Sequence, residues 1–285
     1  MTKVLVLGRA GMLGHVVYET LANIDEFRVL GCARNAVDAA TEVVDVSDLQ
    51  ALELLLERVE PDIVVNCVGV LIQGSVDSVG NAILLNSYLP HRLVDFGKMF
   101  NFKVIHVSTD CVFSGERGGY HDTDLRDGDT PYARTKILGE VFDTKNLTIR
   151  TSIIGPELKS NGTGLVDWFL KQHGEVGGYS KAYWSGVTTI ELAKAMVEFI
   201  RQDIVGLYQF TVEPKISKYD LLLLIKRVWE LERLVVIENP DYYCDKSLLS
   251  NRDDFRWCMP THQQMIVEMK QWCDDRPHAY DHYRI

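Results

Sequence analysis

The chain has 285 residues, room for one large domain or two modest ones. Apolar residues make up 46% and charged residues 25%, and no apolar run approaches the ~18 residues of a membrane span, so collagen-like, disordered and membrane-spanning readings are excluded. The net charge of −10, from 30 basic and 40 acidic side chains, argues against nucleic-acid and anionic-membrane partners, so an anionic ligand must be captured by a local site.

Lys3–Leu7 predicts a buried strand. Met1–Gly8 lacks the basic region and long apolar core of a secretory signal, and a cytoplasmic chain is expected. Leu13, Val16, Val17 and Leu21 share one helical face, and Phe27–Ala33 reads as a second strand. Ser47 and Gln50 form a capping box ahead of Leu49, Leu52, Leu56 and Val59, with Pro61 marking the exit. Asp62–Cys67 is a strand, Val79–Phe100 a helical stretch bent near Pro90, Lys103–Val107 a strand, Pro131–Phe142 a helix and Leu147–Arg150 a strand. Strands alternating with helices call for an α/β fold, a doubly wound parallel sheet covered on both faces.

Beyond Thr151 the rhythm loosens. Gly155–Gly164 and Gly174–Gly186 read as loops around a short helix at Leu165–Gln172. Thr188 with Glu191, Ser217 with Asp220 and Thr261 with Gln264 each begin a helix, and Leu207–Thr211 is one more strand. The expected division is a dinucleotide-binding domain of residues 1–154 plus 186–211 and a smaller substrate-binding lobe of residues 155–185 plus 212–285. Cys32, Cys67, Cys111, Cys244, Cys258 and Cys273 form no metal-ligand spacing and read as free thiols, with no metal expected.

Gly8-Arg9-Ala10-Gly11-Met12-Leu13-Gly14 directly follows the first strand and opens a helix. Gly8 allows the turn, Gly11 lets the backbone approach a pyrophosphate and Gly14 permits close helix–strand packing, while the helix N-terminus offers free N–H groups. At the end of the second strand, where an acid would hold NAD ribose hydroxyls, stands Arg34; its guanidinium suits a 2′-phosphate, and Arg9 adds a second positive charge. NADPH is the expected cofactor, with NADH the alternative. Asp45 and Val46 follow the next short strand and suit the adenine edge, and Cys67, Val68 and Gly69 end the strand expected to run along the cofactor.

Tyr132 and Lys136 lie four apart on a predicted helix and share one face. An ammonium near a phenol lowers the phenol pKa, which makes Tyr132 a proton donor near neutral pH with Lys136 also able to hold the cofactor ribose. Thr109 ends a strand upstream and can donate to a substrate carbonyl as charge develops there.

The glycine loop, Val107–Gly115 (VSTDCVFSG) and Pro131–Glu140 (PYARTKILGE) together resemble the extended short-chain dehydrogenase/reductases, and most closely the dTDP-4-dehydrorhamnose reductase family. Leu147–Ser152 resembles that family's strand after the catalytic helix. The resemblance implies NAD(P)H-dependent reduction of a 4-keto group on a nucleotide-linked 6-deoxy-hexose, in surface-polysaccharide or O-antigen precursor synthesis, with Thr109, Tyr132 and Lys136 as the catalytic triad. The chain departs from the family at Ala133 and Thr135, where Gly and Ser are usual, at Ile153, where an aromatic is usual, and in lacking an Arg-Pro pair before Ser247-Leu248. A UDP-linked 2-acetamido-2,6-dideoxy-4-keto sugar therefore stands beside the dTDP-linked one, with Lys246 and Arg252 as candidates for the diphosphate.

Sugar-nucleotide dehydratases of the superfamily typically carry Thr-Asp-Glu; here the third position is Cys111, so the resemblance disfavours dehydration. Cys111 also has the offset from Thr109 that resembles the catalytic cysteine of GDP-fucose synthase, an epimerase–reductase; His173 would be its partner in that alternative. A non-catalytic NADP-binding regulatory subunit, as found with methionine adenosyltransferase, is the reading from a different class. Trp168, Tyr179, Tyr183 and Trp184 are candidates for stacking on a base or sugar. Monomer and homodimer are both left open.

Overall fold

The computed structural model describes residues 1–283. The last two residues of the segment 212–285 lie outside them. Strand β1 (Thr2–Leu7) leads to helix α1 (Gly14–Ala22), β2 (Phe27–Ala33), β3 (Thr41–Val43), α2 (Leu49–Val59) and β4 (Ile63–Asn66). A helical run follows, made of α3 (Ile72–Asp77), α4 (Val79–Ala82), a π-helical turn (Ile83–Tyr88) and α5 (Leu89–Met99), before β5 (Lys103–Val107), α6 (Pro131–Gly139) and β6 (Leu147–Arg150). The remainder comprises β7 (Ile153–Ile154), α7 (Leu165–Leu170), β8 (Gly174–Trp184), β9 (Val187–Thr188), α8 (Thr189–Arg201), β10 (Gly206–Gln209), β11 (Ile216–Ser217), α9 (Lys218–Val228), β12 (Leu234–Asp245) and α10 (His262–Asp274).

Seven strands form one parallel sheet in the order β10-β6-β5-β4-β1-β2-β3. Alternate residues of the same strands feed two different cores. Val4, Val6, Val65 and Ile105 face α1 and α8, while Leu5, Leu7, Val64 and Val104 face α2 and α5. Burial on both faces is why these strands read as continuous apolar runs. The strand order reverses between β1 and β4, the switch point beside which ligands of such sheets bind, outside the carboxyl ends of the strands.

Pro90 explains the π turn. It has no N–H for the carbonyl of Asn86, four residues back, and the helix widens there. Gly139 of α6 presses against that carbonyl; a Cβ on Gly139 would sit 1.8 Å from Asn86 O. The predicted bend thus becomes a seat for the helix that carries Tyr132 and Lys136.

Two local expectations are corrected. The cap of α2 is Asp48, whose carboxylate accepts from the N–H groups of Gln50 and Ala51, while Ser47 is held by Asp45. Gly174–Gly186 is not a loop; most of it is the long strand β8, flanked in a three-stranded sheet by β12, which is parallel, and β11, which is antiparallel. Buried Val176, Gly178, Ala182 and Trp184 alternate with more open positions, but Gly178 and Ser180 fall in that register and hide the period from a hydrophobicity reading. Residues from both units of the expected division share one contiguous core, from Val4 and Val16 to Trp184, Leu221 and Met265.

Candidate active site

The glycine loop is fixed by its own backbone. Gly8 adopts φ +82°, open to glycine and strained for other residues. The N–H groups of Gly8 and Arg9 both donate to Cys32 O at 3.0 Å, and Gly11 N–H donates to Gly8 O at 2.8 Å. A Cβ on Gly14 would lie 2.1 Å from Gly8 O, so this position tolerates no side chain. Gly11 is exposed, and no side chain caps the first turn of α1, although its His15 and Val17 N–H groups already donate to Gly11 O and Leu13 O. Val68 packs beside Gly8, and Cys67 N–H donates to Leu7 O at 3.1 Å, so Cys67, Val68 and exposed Gly69 border the same loop. The backbone cradle fits a pyrophosphate.

Not every residue expected at this cradle presents its side chain. Leu13 and Val46 point into the core, leaving only their backbone, and Met12 is half-buried beside Gly164. Arg9 is corrected as a free cation. Its guanidinium bonds Asp38 through both nitrogens, donates to Thr41 Oγ1 at 2.7 Å and lies 3.7 Å from the centre of the Tyr18 ring. Gly31 makes this possible, since a Cβ there would meet Arg9 Cδ at 2.1 Å. Arg34 is exposed and forms no ion pair among the described residues. Asp45 accepts from the Ser47 N–H and hydroxyl at 3.0 and 2.7 Å, which together with the nearby Arg34 charge lower its pKa.

Thr109, Tyr132 and Cys111 come together at the end of β5. Thr109 Oγ1 accepts from Cys111 N–H and donates to Asp110 Oδ1, each at 3.1 Å. Thr130 caps α6 through Ala133 N–H, Pro131 occupies the first turn, and Tyr132 is presented from that turn. Burial raises the Tyr132 pKa, the neighbouring Cys111 and Asp110 add to the rise, and the Thr109 hydroxyl opposes it. Lys136 does not depress it as the sequence spacing implied. Its Nζ donates to Val107 O at 2.8 Å, lies 3.4 Å from His106 Nε2, and is itself brought down to about 8 by burial. The Lys136 amine, held beneath the strand by Val107 and His106, forms no hydrogen bond with the Tyr132 phenol, so the i, i+4 spacing alone does not join the two groups.

A buried ion cluster sets α6 against the sheet. Glu140 accepts from Arg150 Nε and Nη2 at 2.9 and 2.8 Å, from Arg126 at 3.1 Å and from the Ser108 hydroxyl at 2.7 Å. Ser108 precedes Thr109, and Glu140 follows the helix bearing Tyr132, so the cluster ties the end of β5 carrying Thr109 to the helix carrying Tyr132.

Of the expected diphosphate contacts, Lys246 remains at the site and Arg252 does not. The Lys246 ammonium stands near Cys111 and the Asp110 carboxylate, and its stem lies beside Gly115. Arg252 donates to the carbonyls of Val205 and Leu207 at 2.6 and 2.9 Å and pairs with Asp254, fastening β10. A second lysine at the site, Lys218, was missed. It opens α9, stands near the Asp110 carboxylate and Cys111, and lies 5.4 Å from the Trp184 ring centre. The Ser217 cap located its helix, but no spacing tied that helix to Asp110. The aromatic group divides: Trp184 is buried, whereas Trp168 and Tyr179 are exposed, the latter 5.0 Å from Tyr242. Cys111 is pushed up to about 12 by burial and by Asp110, and His173 stands exposed at the turn before β8.

A family model described as the RmlD substrate binding domain matches residues 1–243. The dTDP-4-dehydrorhamnose reductase of Aggregatibacter actinomycetemcomitans is 25% identical over 240 residues, covering 79% of this chain and 78% of its own. The methionine adenosyltransferase 2 subunit beta of Xenopus tropicalis is 27% identical over 139 residues, covering 48% of this chain and 41% of its own. The crystal structure of dTDP-4-dehydrorhamnose reductase from Bacillus anthracis str. Ames in complex with NADP superposes with a TM-score of 0.82 at 17% identity, covering 95% of this chain and 99% of that one, a likeness of fold.

Proposed function

The chain belongs to the RmlD substrate binding domain family, and on that premise we propose that it is an NADPH-dependent reductase of the 4-keto group of a nucleotide-linked 6-deoxy-hexose. The observation that carries the reading is the convergence of the Thr109 hydroxyl and the Tyr132 phenol at the carboxyl end of β5, two strands from the glycine loop. NADPH, when bound along Gly8–Gly14 with Arg34 toward its 2′-phosphate, supplies the hydride. Tyr132 holds a proton for the sugar oxygen; a phenol kept neutral by burial is a donor at physiological pH. Thr109 orients the carbonyl with its hydroxyl, and Lys136 supplies an ammonium beneath the same strand end. Lys246 and Lys218 offer positive charge to the diphosphate. The substrate is a dTDP-linked 4-keto sugar or its UDP-linked 2-acetamido counterpart, and the setting is the making of surface-polysaccharide precursors.

Cys111 supports reduction over epimerisation, because a thiol raised to about 12 is a poor base near neutral pH and His173 stands apart from it in an exposed turn. The half-length likeness to methionine adenosyltransferase subunits favours a second reading, a non-catalytic NADP-binding subunit. NADPH oxidation measured with dTDP- and UDP-linked 4-keto-6-deoxy sugars separates them. Turnover lost in Tyr132→Phe supports the reductase; dinucleotide binding with no turnover of any of these sugars sinks it and leaves the subunit.

A further inference from the structure

His106 is a polar ring in the middle of an apolar sheet. It stands on β5 between Ile105 and Val107, is fully buried, and pairs in register with Asn66 of β4. The reduction chemistry above makes no use of either residue.

Their hydrogen bonds determine where the ring proton sits. Asn66 Oδ1 accepts the Val68 N–H at 3.1 Å, which turns the amide nitrogen toward His106 Nδ1, also at 3.1 Å. An amide nitrogen only donates, so Nδ1 accepts and carries no proton. Burial first, then the charges of Lys136 and His91, hold the ring well below its ordinary pKa, so it is neutral and its single proton is on Nε2. Nε2 lies 3.4 Å from Lys136 Nζ. An ammonium has no lone pair to receive that N–H, whereas a neutral amine has one. The contact is therefore repulsive when Lys136 is charged and attractive when it is not.

We propose that Asn66 and His106 form a positioning pair that makes Lys136 release its proton more readily than its burial alone would, and so sets the pH above which the ammonium beneath β5 is lost to the chemistry. The functional half of this statement rests on the reductase reading; the Lys136 half does not. The other charges facing the pair are few. Glu140, just after the helix of Lys136, favours the ammonium but is shared with Arg150 and Arg126. His91 acts on His106 from α5, and Asp110 and Cys111 bear on Tyr132.

The direct measurement is the titration of the Lys136 side chain by NMR of protein carrying ¹³Cε-labelled lysine, with the signal assigned by Lys136→Arg. His106→Phe keeps a ring and removes both nitrogens, and the Lys136 midpoint is expected to rise by about one pH unit, the worth of one hydrogen bond. Asn66→Asp places an acceptor at Nδ1, drawing the ring proton there and leaving an Nε2 lone pair toward the ammonium; a larger rise is expected. Midpoints unmoved in both variants overturn the proposal. Should neither variant fold, ¹⁵N NMR of histidine-labelled wild-type protein decides it: a bare Nδ1 with a protonated Nε2 supports the pair, and a proton on Nδ1 overturns it. The alkaline limb of NADPH-dependent turnover of dTDP-4-dehydrorhamnose is expected to follow the midpoint. Failure of that turnover in the wild type counts against the reductase reading and leaves the titration to judge the pair.

Discussion

The Tyr280 hydroxyl lies 2.7 Å from His15 Nε2, although 265 residues separate them. His15 Nδ1 lies 2.8 Å from Gly11 O, an acceptor only, so Nδ1 carries the ring proton and Nε2 accepts from Tyr280. Trp272 Nε1 in turn donates to the Tyr280 oxygen at 3.0 Å. Helix α10 is thereby tied through one imidazole to the glycine loop.

Tyr280→Phe leaves His15 Nε2 and the Trp272 N–H unpaired in a buried place, a cost of about 1–3 kcal/mol. The thermal midpoint is expected to fall by about 2–4 °C per kcal/mol, and NADPH is expected to bind several-fold more weakly as the Gly11 turn loosens. Calorimetry and a fluorescence titration of the dinucleotide measure both; unchanged affinity with a lowered midpoint would show that the contact serves the fold alone.

His15 also gives a pH dependence. Burial lowers its pKa from 6.5 to about 4, so the unfolded chain binds more protons between those values and stability falls with acid there. The contribution is fully present above pH 6.5 and lost as pH drops through 4. His262, also lowered to about 4, shares the window. In His15→Gln the denaturant midpoint between pH 6.5 and 4 is expected to decline less steeply than in the wild type; equal slopes refute the assignment.

Arg150→Met strands Glu140 with only the half-buried Arg126 and the Ser108 hydroxyl. Breaking a buried pair in this way costs about 3–5 kcal/mol. Urea unfolding should register that loss, and a double replacement of Arg150 and Glu140 by apolar residues should recover part of it. A single variant as stable as the wild type would mean that the cluster contributes nothing.

Arg34 and Arg252 were both expected to meet phosphates, but Arg34 is exposed without an ion pair among the described residues whereas Arg252 is bound to the carbonyls of Val205 and Leu207. Arg34→Ala is expected to raise the KM for NADPH about tenfold or more while leaving that for NADH within about twofold, since a charge-assisted phosphate contact is worth ~1.5–3 kcal/mol. Arg252→Ala is expected to lower stability through the loose end of β10 without altering the KM for the sugar nucleotide. A raised sugar KM with unchanged stability would return Arg252 to the binding site.

Much of this protein was fixed by local chemistry that a chain of letters carries. The glycines of the first turn, the spans Phe27–Ala33, Lys103–Val107 and Leu147–Arg150, and the caps Thr188, Ser217 and Thr261 follow from backbone sterics, two-sided burial and short-range hydrogen bonds, and each stands where those rules put it. What the letters could not hold was the partner of each charge. Arg9 meets Asp38, Lys136 meets Val107 and His106 before any phenol, Arg252 turns to β10, and Lys218 arrives at Asp110 from a helix more than a hundred residues away. The strand β8 likewise waits for β12, because a glycine-rich segment has little β preference until a neighbour completes its hydrogen bonds. Local rules act over a few residues, whereas pairing of charges and strands depends on distances that exist only once the sheet has closed.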